Sequence, residues 1–145
     1  MQKYYSKEEN ITMAATYRQD EKLAKIADKV IGNHDNLHHL KDERCRIAYL
    51  YSDEAKKSRG KTVFADTEKV KAKLKAIAQY DFAVTFYEPN TVNLNEETME
   101  RLMYHELRHI GFDPKDGRLT IIPHEIEDFR DIVDNWGIDW ISSKP

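Results

Sequence analysis

This chain of 145 residues has a single cysteine, no excess of positive charge and no long apolar run, and each absence removes a class of protein. Cys45 alone cannot close an internal disulfide, which fits a reducing compartment, and its apolar, strand-like neighbours make it a packing residue rather than a nucleophile. The net charge of -3 argues against a general binder of nucleic acid or of membrane surfaces. Met1-Gln2-Lys3-Tyr4-Tyr5-Ser6 leads into polar sequence without the apolar core of a signal peptide, and no apolar stretch approaches membrane-spanning length. The expected location is therefore the cytoplasm. Charged residues make up 34% of the chain, yet the apolar ones recur at helical or strand spacing, which excludes wholesale disorder. The length suits one domain with a real core and leaves little room for a second.

What is there begins with Tyr104-His105-Glu106-Leu107-Arg108-His109, two histidines four residues apart with a glutamate directly after the first. On a helix the two imidazoles share one face, the zinc-hydrolase pattern His-Glu-x-x-His. A zinc ion held by both needs a third protein ligand and an open position for water, whose pKa the metal lowers to about 7. Glu106 is then the general base that takes that proton. Asn93 or Asn95 can cap the helix, Glu96 and Glu97 make its first turn acidic, and Gly111 sits where it would stop, so the spacing predicts a helix of about four turns. At about 100° per residue, Met99, Met103, Leu107 and Ile110 form the core stripe, with Arg101, Tyr104 and Arg108 on the far side. His105 and His109 fall at the edge of the stripe, and Glu106 lies between them and the apolar sector, where a carboxylate is costly unless something uses it. The plain alternative is a pair of half-buried histidines with hydrogen-bonded partners and a snorkelling glutamate.

Along the rest of the chain, residues 1 to 18 show no sustained period and read as a loose arm, leaving 19 to 145 as the domain. From Asp20, a cap, Leu23, Ile26, Ala27 and Val30 repeat at helical spacing until Gly32. His34, His38 and His39 cluster without an acidic or cysteine partner and read as a solvated loop or short helix rather than a second metal site. Residues 46–51 read as a buried strand, 62–65 as a short one, and Glu68 to Ala78 as an amphipathic helix with Val70, Leu74 and Ile77 on one side and a solvated lysine face on the other. Tyr80 to Tyr87 alternates, with Phe82, Val84 and Phe86 on one side, and is the clearest strand. It leads into the histidine helix, so a sheet edge is expected beside the metal, an arrangement zinc peptidases use to align an extended peptide. After the turn signal Lys115-Asp116-Gly117, Arg118 to Ile122 reads as another short strand.

A final helix from His124 or Glu125 carries Phe129, Ile132, Val133 and Trp136 as its stripe. His124 and Asp128 project together at the edge of that stripe, so two helices packed by their stripes bring three imidazoles together. His124 is the candidate third ligand, with Asp128 orienting its ring from the second shell or, in the other assignment, serving as the ligand itself. The fold class that follows is α+β: a compact domain with a small mixed sheet of three to four strands packed against the histidine helix and a C-terminal helix.

Tyr104-His105-Glu106-Leu107-Arg108-His109-Ile110-Gly111, then Asp116-Gly117-Arg118, then Pro123-His124-Glu125-Ile126-Glu127-Asp128-Phe129 resembles the phage metallopeptidase family of small zincin-like proteins. The likeness extends upstream through Tyr80 to Thr85 and the strand at Ile47, covering about the last hundred residues and leaving residues 1 to 40 largely outside. Glu125 stands where the family usually has an aspartate, which keeps the charge. The resemblance implies a zincin-like fold, a Zn2+ ion, a phage or prophage origin and, with it, a host cytoplasm. The expected activity is hydrolysis of a peptide or protein substrate with Glu106 as base, and with Arg118 or a backbone N–H as the oxyanion stabiliser, since no tyrosine or histidine follows His124. The alternative is a zinc-stabilised, non-catalytic protein that binds a host or phage partner.

Overall fold

The computed structural model describes residues 14–123. The expected C-terminal helix, with His124 and Asp128, lies outside the described residues. Among those described, the chain is a mixed α+β fold built on a four-stranded sheet in the order β1-β2-β6-β5. Here β1 is Tyr17–Gln19, β2 is Ile47–Ser52, β5 is Ala65–Lys69 and β6 is Phe82–Tyr87. β2 and β6 run parallel, while β1 and β5 flank them antiparallel. All six residues of β6, the strand paired on both edges, are buried, while β2 is partly exposed.

The sheet begins at Tyr17, inside the stretch expected as a loose arm, and Thr16 already bonds Asp53 through both its N–H and its hydroxyl. The first helix, α1 (Glu21–Asn33), starts as the sequence predicts, with the Asp20 side chain accepting from the Leu23 N–H at 3.2 Å. It buries Leu23, Ile26, Ala27, Val30 and Ile31. The three neighbouring histidines lie at and within a 3-10 helix at Asp35–Lys41, the short-helix alternative of the sequence reading. Between β2 and β5 a small hairpin of β3 (Lys57–Ser58) and β4 (Lys61–Thr62) stands apart from the main sheet.

Three expectations are corrected here. The helix expected over 68–78 is only α2, Ala72–Ala78, because Glu68 and Lys69 pair with Ala83 and Phe82 to complete β5. Its Leu74 and Ile77 are exposed rather than buried. Backbone pairing to a central strand outweighs a weak helical period in seven residues. The third correction concerns the histidine helix. After the four-residue α3 (Glu88–Thr91), α4 spans Glu96–Leu107, capped by Asn95, whose side chain accepts from the Thr98 N–H at 2.8 Å. It stops three residues short of Ile110, so Ile110 leaves the helix and enters β7 (Ile110–Phe112), which pairs antiparallel with β8 (Leu119–Ile121).

Helix α4 is buried more widely than one stripe allows. Leu102 and Tyr104 are as inaccessible as Met99, Met103 and Leu107, because α1 packs on one side and β5 lies on the other. Tyr104, expected on the solvent side, accepts a hydrogen bond from the Asn36 side chain at 2.8 Å and packs its ring on His34 at 4.4 Å. The core joins α1, α4 and one face of the sheet, with Tyr51, Phe82, Val84 and Phe86 contributed by the strands. Cys45 is buried beside it, its thiol pushed up to about 11 by loss of water, as a packing residue requires. No helix among the described residues is long and apolar enough to cross a membrane.

Gly111 does not cap α4. It lies in β7 opposite Thr120, and any Cβ there would strike the side chain of Ile122. Gly111→Ala therefore has to displace Ile122, an overpacking cost of about 1–3 kcal/mol, read as a fall in the urea midpoint with unchanged slope. A variant as stable as the parent would show that the hairpin has room to spare.

Candidate metal centre

The candidate site gathers where the end of α4 meets β5 and the β7–β8 hairpin. His105 occupies the last turn of α4 and is 8% exposed, and Glu106 beside it is 4% exposed. His109 lies past the helix end, in a turn that tightens so that its N–H reaches the Glu106 carbonyl at 3.0 Å. The two imidazoles nevertheless face each other, with ring centres 5.3 Å apart and planes at 74°. Two imidazole nitrogens bound to one tetrahedral zinc at about 2.1 Å put their ring centres about 5 Å apart, so the observed spacing suits a shared cation.

The His109 ring is held by the hairpin. Its Nδ1 donates to the Ile122 carbonyl at 2.8 Å, while the Ile122 N–H donates to the His109 carbonyl at 2.6 Å. These bonds continue the register that pairs Ile110 with Ile121. One rung is made by a side chain in place of a backbone N–H, because the His109 N–H is already committed to Glu106. With Nδ1 carrying the proton, Nε2 of the neutral ring holds the lone pair, the state that binds metal. Burial pushes the His109 pKa down, the Ile122 carbonyl partly opposes this, and nearby His105 adds to it.

Among the described residues the Glu106 side chain has one hydrogen-bond partner outside its own helix. Thr67, in the middle of β5, donates its hydroxyl to Glu106 Oε1 at 2.8 Å, with a longer contact to the Glu106 carbonyl at 3.2 Å. Burial pushes this carboxyl up to about 7 against the pull of His105 and the Thr67 hydroxyl, while Asp66 pushes the same way as burial. A carboxyl poised there exchanges protons near neutral pH, the property a general base needs. Among the described residues the sheet edge beside the site is β5; the strand at 82–87 lies in the interior of the sheet.

Of the residues singled out in the sequence, His105, Glu106 and His109 come together. His124 and Asp128 lie outside the described residues, and within those described no three His, Cys, Asp or Glu side chains group as a metal site. Two neutral-capable imidazoles beside a buried carboxyl fit zinc, which accepts nitrogen ligands, and leave one protein ligand to be supplied. Arg118 is in a different place: it lines a cleft with Lys69 and Phe112, and four residues of strand, about 13 Å, separate it from the Ile122 carbonyl. His39, read as part of a solvated cluster, bonds the Ile110 carbonyl through Nε2 at 2.8 Å and so steadies β7. Thr67 and Ile122 were missed. Thr67 stands 39 residues from Glu106, with no local pattern to mark it, and Ile122 acts through its backbone.

In comparison with known proteins, the family model described as Putative phage metallopeptidase matches residues 15–142, reaching well upstream of the motif-bearing half. No curated protein and no solved structure matches the chain.

Glu106 should leave a pH signature in protein stripped of metal by a chelator. Its pKa rises from the ordinary 4.5 to about 7 on folding. The unfolded chain therefore gives up the proton first, and the stability present below 4.5 declines as pH rises through 7, by about 1.4 kcal/mol per unit at most. The stability of wild type relative to Glu106→Gln should fall across that window and level off above it. Urea unfolding of both at a series of pH values measures this, and a flat or rising difference refutes the burial argument.

Proposed function

The chain belongs to the Putative phage metallopeptidase family, and from that membership and the His105–Glu106–His109 constellation we propose that it is a zinc-dependent peptidase with a zincin-like site. The observation that carries the reading is the oriented imidazole pair, one ring held by a backbone carbonyl, with a buried glutamate between helix and sheet edge. His105 and His109 hold the ion. His124 completes the set, or Asp128 in its place, and the chain arrives at His124 two residues beyond the Ile122 carbonyl that bonds His109, within easy covalent reach. When bound, the zinc ion supplies Lewis acidity toward the scissile carbonyl and lowers the pKa of water to about 7.

The chain's own residues do the rest. Thr67 donates to Oε1 of Glu106 and leaves Oε2 to take the proton of the attacking water and return it to the departing amine. The core packing of α4 fixes the carboxyl, so little reorganisation accompanies the transfer. Among the described residues β5 ends the sheet on the side of the site, and a rim with no strand paired to it there can receive an extended peptide as an added strand. A backbone N–H of that rim, rather than Arg118, is the nearer candidate for the oxyanion.

Protein purified without a metal-affinity tag should carry about one zinc per chain by elemental analysis, and the His105→Ala/His109→Ala variant little. Glu106→Gln should keep the zinc and lose about 10²–10⁴ in kcat on any peptide the wild type cuts. Undiminished cleavage by that variant would remove Glu106 as the base. Full biological effect with no cleavage by either protein, but a chelator-induced fall in Tm, would favour the zinc-stabilised binding protein instead.

A further inference from the structure

Beyond the end of β5 the surface opens into a cleft of about 420 Å³ that contains none of the three motif residues. Its apolar lining comes from Phe82, Leu119 and the half-exposed Phe112, and the rest is largely charged. Its charged groups divide into satisfied and unsatisfied ones. Arg44 is bound by Asp42 at 2.9 Å, and Lys75 by Asp81 at 3.1 Å, with Arg46 on the same carboxylate. Asp116 is committed through Oδ1 to the Arg118 N–H at 2.9 Å. The Lys69 ammonium and the Arg118 guanidinium, by contrast, have no carboxylate partner among the described residues.

Both cations are presented by rigid backbone. Lys69 is the last residue of β5, paired with Phe82. Arg118 follows Gly117, whose φ of +71° makes the turn that a side chain would strain, and the turn is closed by the Asp113 N–H on the Arg118 carbonyl at 2.8 Å. The cleft is also in register with the site. Thr67, which touches Glu106, and Lys69 are alternate residues on one face of the same strand, about 7 Å apart. A peptide laid along β5 with its reacting bond at Glu106 therefore brings a side chain two residues away to Lys69 and Arg118. Added antiparallel, that peptide runs from Lys69 toward Ala65, so the side chain belongs to the amino-terminal side of the bond.

We propose that this cleft is a specificity subsite for an acidic side chain of the substrate, two residues to the amino-terminal side of the bond cleaved. It rests on the peptidase reading for the bond and on the unpaired cations for the preference. An aspartate or glutamate there meets a guanidinium fork and an ammonium beside the rings of Phe82 and Phe112.

The test uses fluorescein-labelled alanine and threonine octapeptides in which a single Asp, Asn or Lys is walked along the chain. Wild type loaded with zinc is assayed for cleavage position by mass spectrometry, and Glu106→Gln for binding by anisotropy. Aspartate at the stated position should raise cleavage and tighten binding about tenfold over asparagine, and Lys69→Glu/Arg118→Glu should transfer the preference to lysine. Circular dichroism checks the folding of that variant, with Lys69→Gln as the milder substitute, for which the aspartate advantage should shrink severalfold. Cleavage with no acid preference, or with one at another position, overturns the proposal and leaves the peptidase reading standing. Charge-dependent binding without cleavage sustains the cleft and sinks the peptidase reading. Neither binding nor cleavage overturns both.

Discussion

A carbonyl at the end of a β ladder ordinarily accepts from a backbone N–H, but at Ile122 it accepts from the ring of His109. That substitution is possible because α4 tightens at its end and commits the His109 N–H to Glu106, so that the ring nitrogen takes its place toward the hairpin. One bond thereby sets the tautomer and orientation of His109 and anchors β8 against the helix end. It also delivers the chain at Pro123 beside the imidazole pair. Gly111 makes the arrangement sterically feasible, since any side chain there would occupy the space of Ile122. His39 supports the same hairpin from the opposite side through Ile110.

The second element of the site is the contact between α4 and the rim of the sheet. A buried carboxyl without a partner is costly, and among the described residues Glu106 receives one side-chain donor, the Thr67 hydroxyl. That single bond does not offset the loss of water, so the group is left near neutrality rather than firmly ionised. A structural carboxylate would gain from more donors, as Asp81 does from Arg46 and Lys75. The two buried acids thus differ: Asp81 is held by two cations, whereas burial raises the pKa of Glu106. Because Thr67 lies on β5, the strand that bonds Glu106 is also the strand proposed to receive a peptide, and Lys69 continues the same face into the cleft that Arg118 lines.

Much of the local structure follows from short-range pattern. Asp20 and Asn95 cap the helices for which the sequence nominates them, and the alternation of Phe82, Val84 and Phe86 produces a strand with those residues in the core. Pattern fails where two periods compete. Ile110 continues the helical stripe of Met99, Met103 and Leu107, yet it pairs with Ile121 because the ladder and the His109 clasp together outweigh one more turn of helix. Glu68 and Lys69 suit the start of an amphipathic helix and are drawn into β5 by the exposed backbone of β6. Tyr104 and Leu102 lie off the predicted stripe and are buried all the same, since α4 is enclosed by α1 as well as by the sheet.

By itself the sequence determined the chemistry available: two imidazoles and a carboxyl within five residues, close enough along the chain to share one neighbourhood although His109 lies past the helix end. It also determined the α+β class, through periods that each segment carries alone. Only the tertiary structure decided which strand became the rim, which hydroxyl met Glu106, which carbonyl turned the His109 ring and where Arg118 came to rest. Those are contacts between segments 13 to 39 residues apart, chosen by burial and backbone pairing across the whole domain, and no local period encodes them.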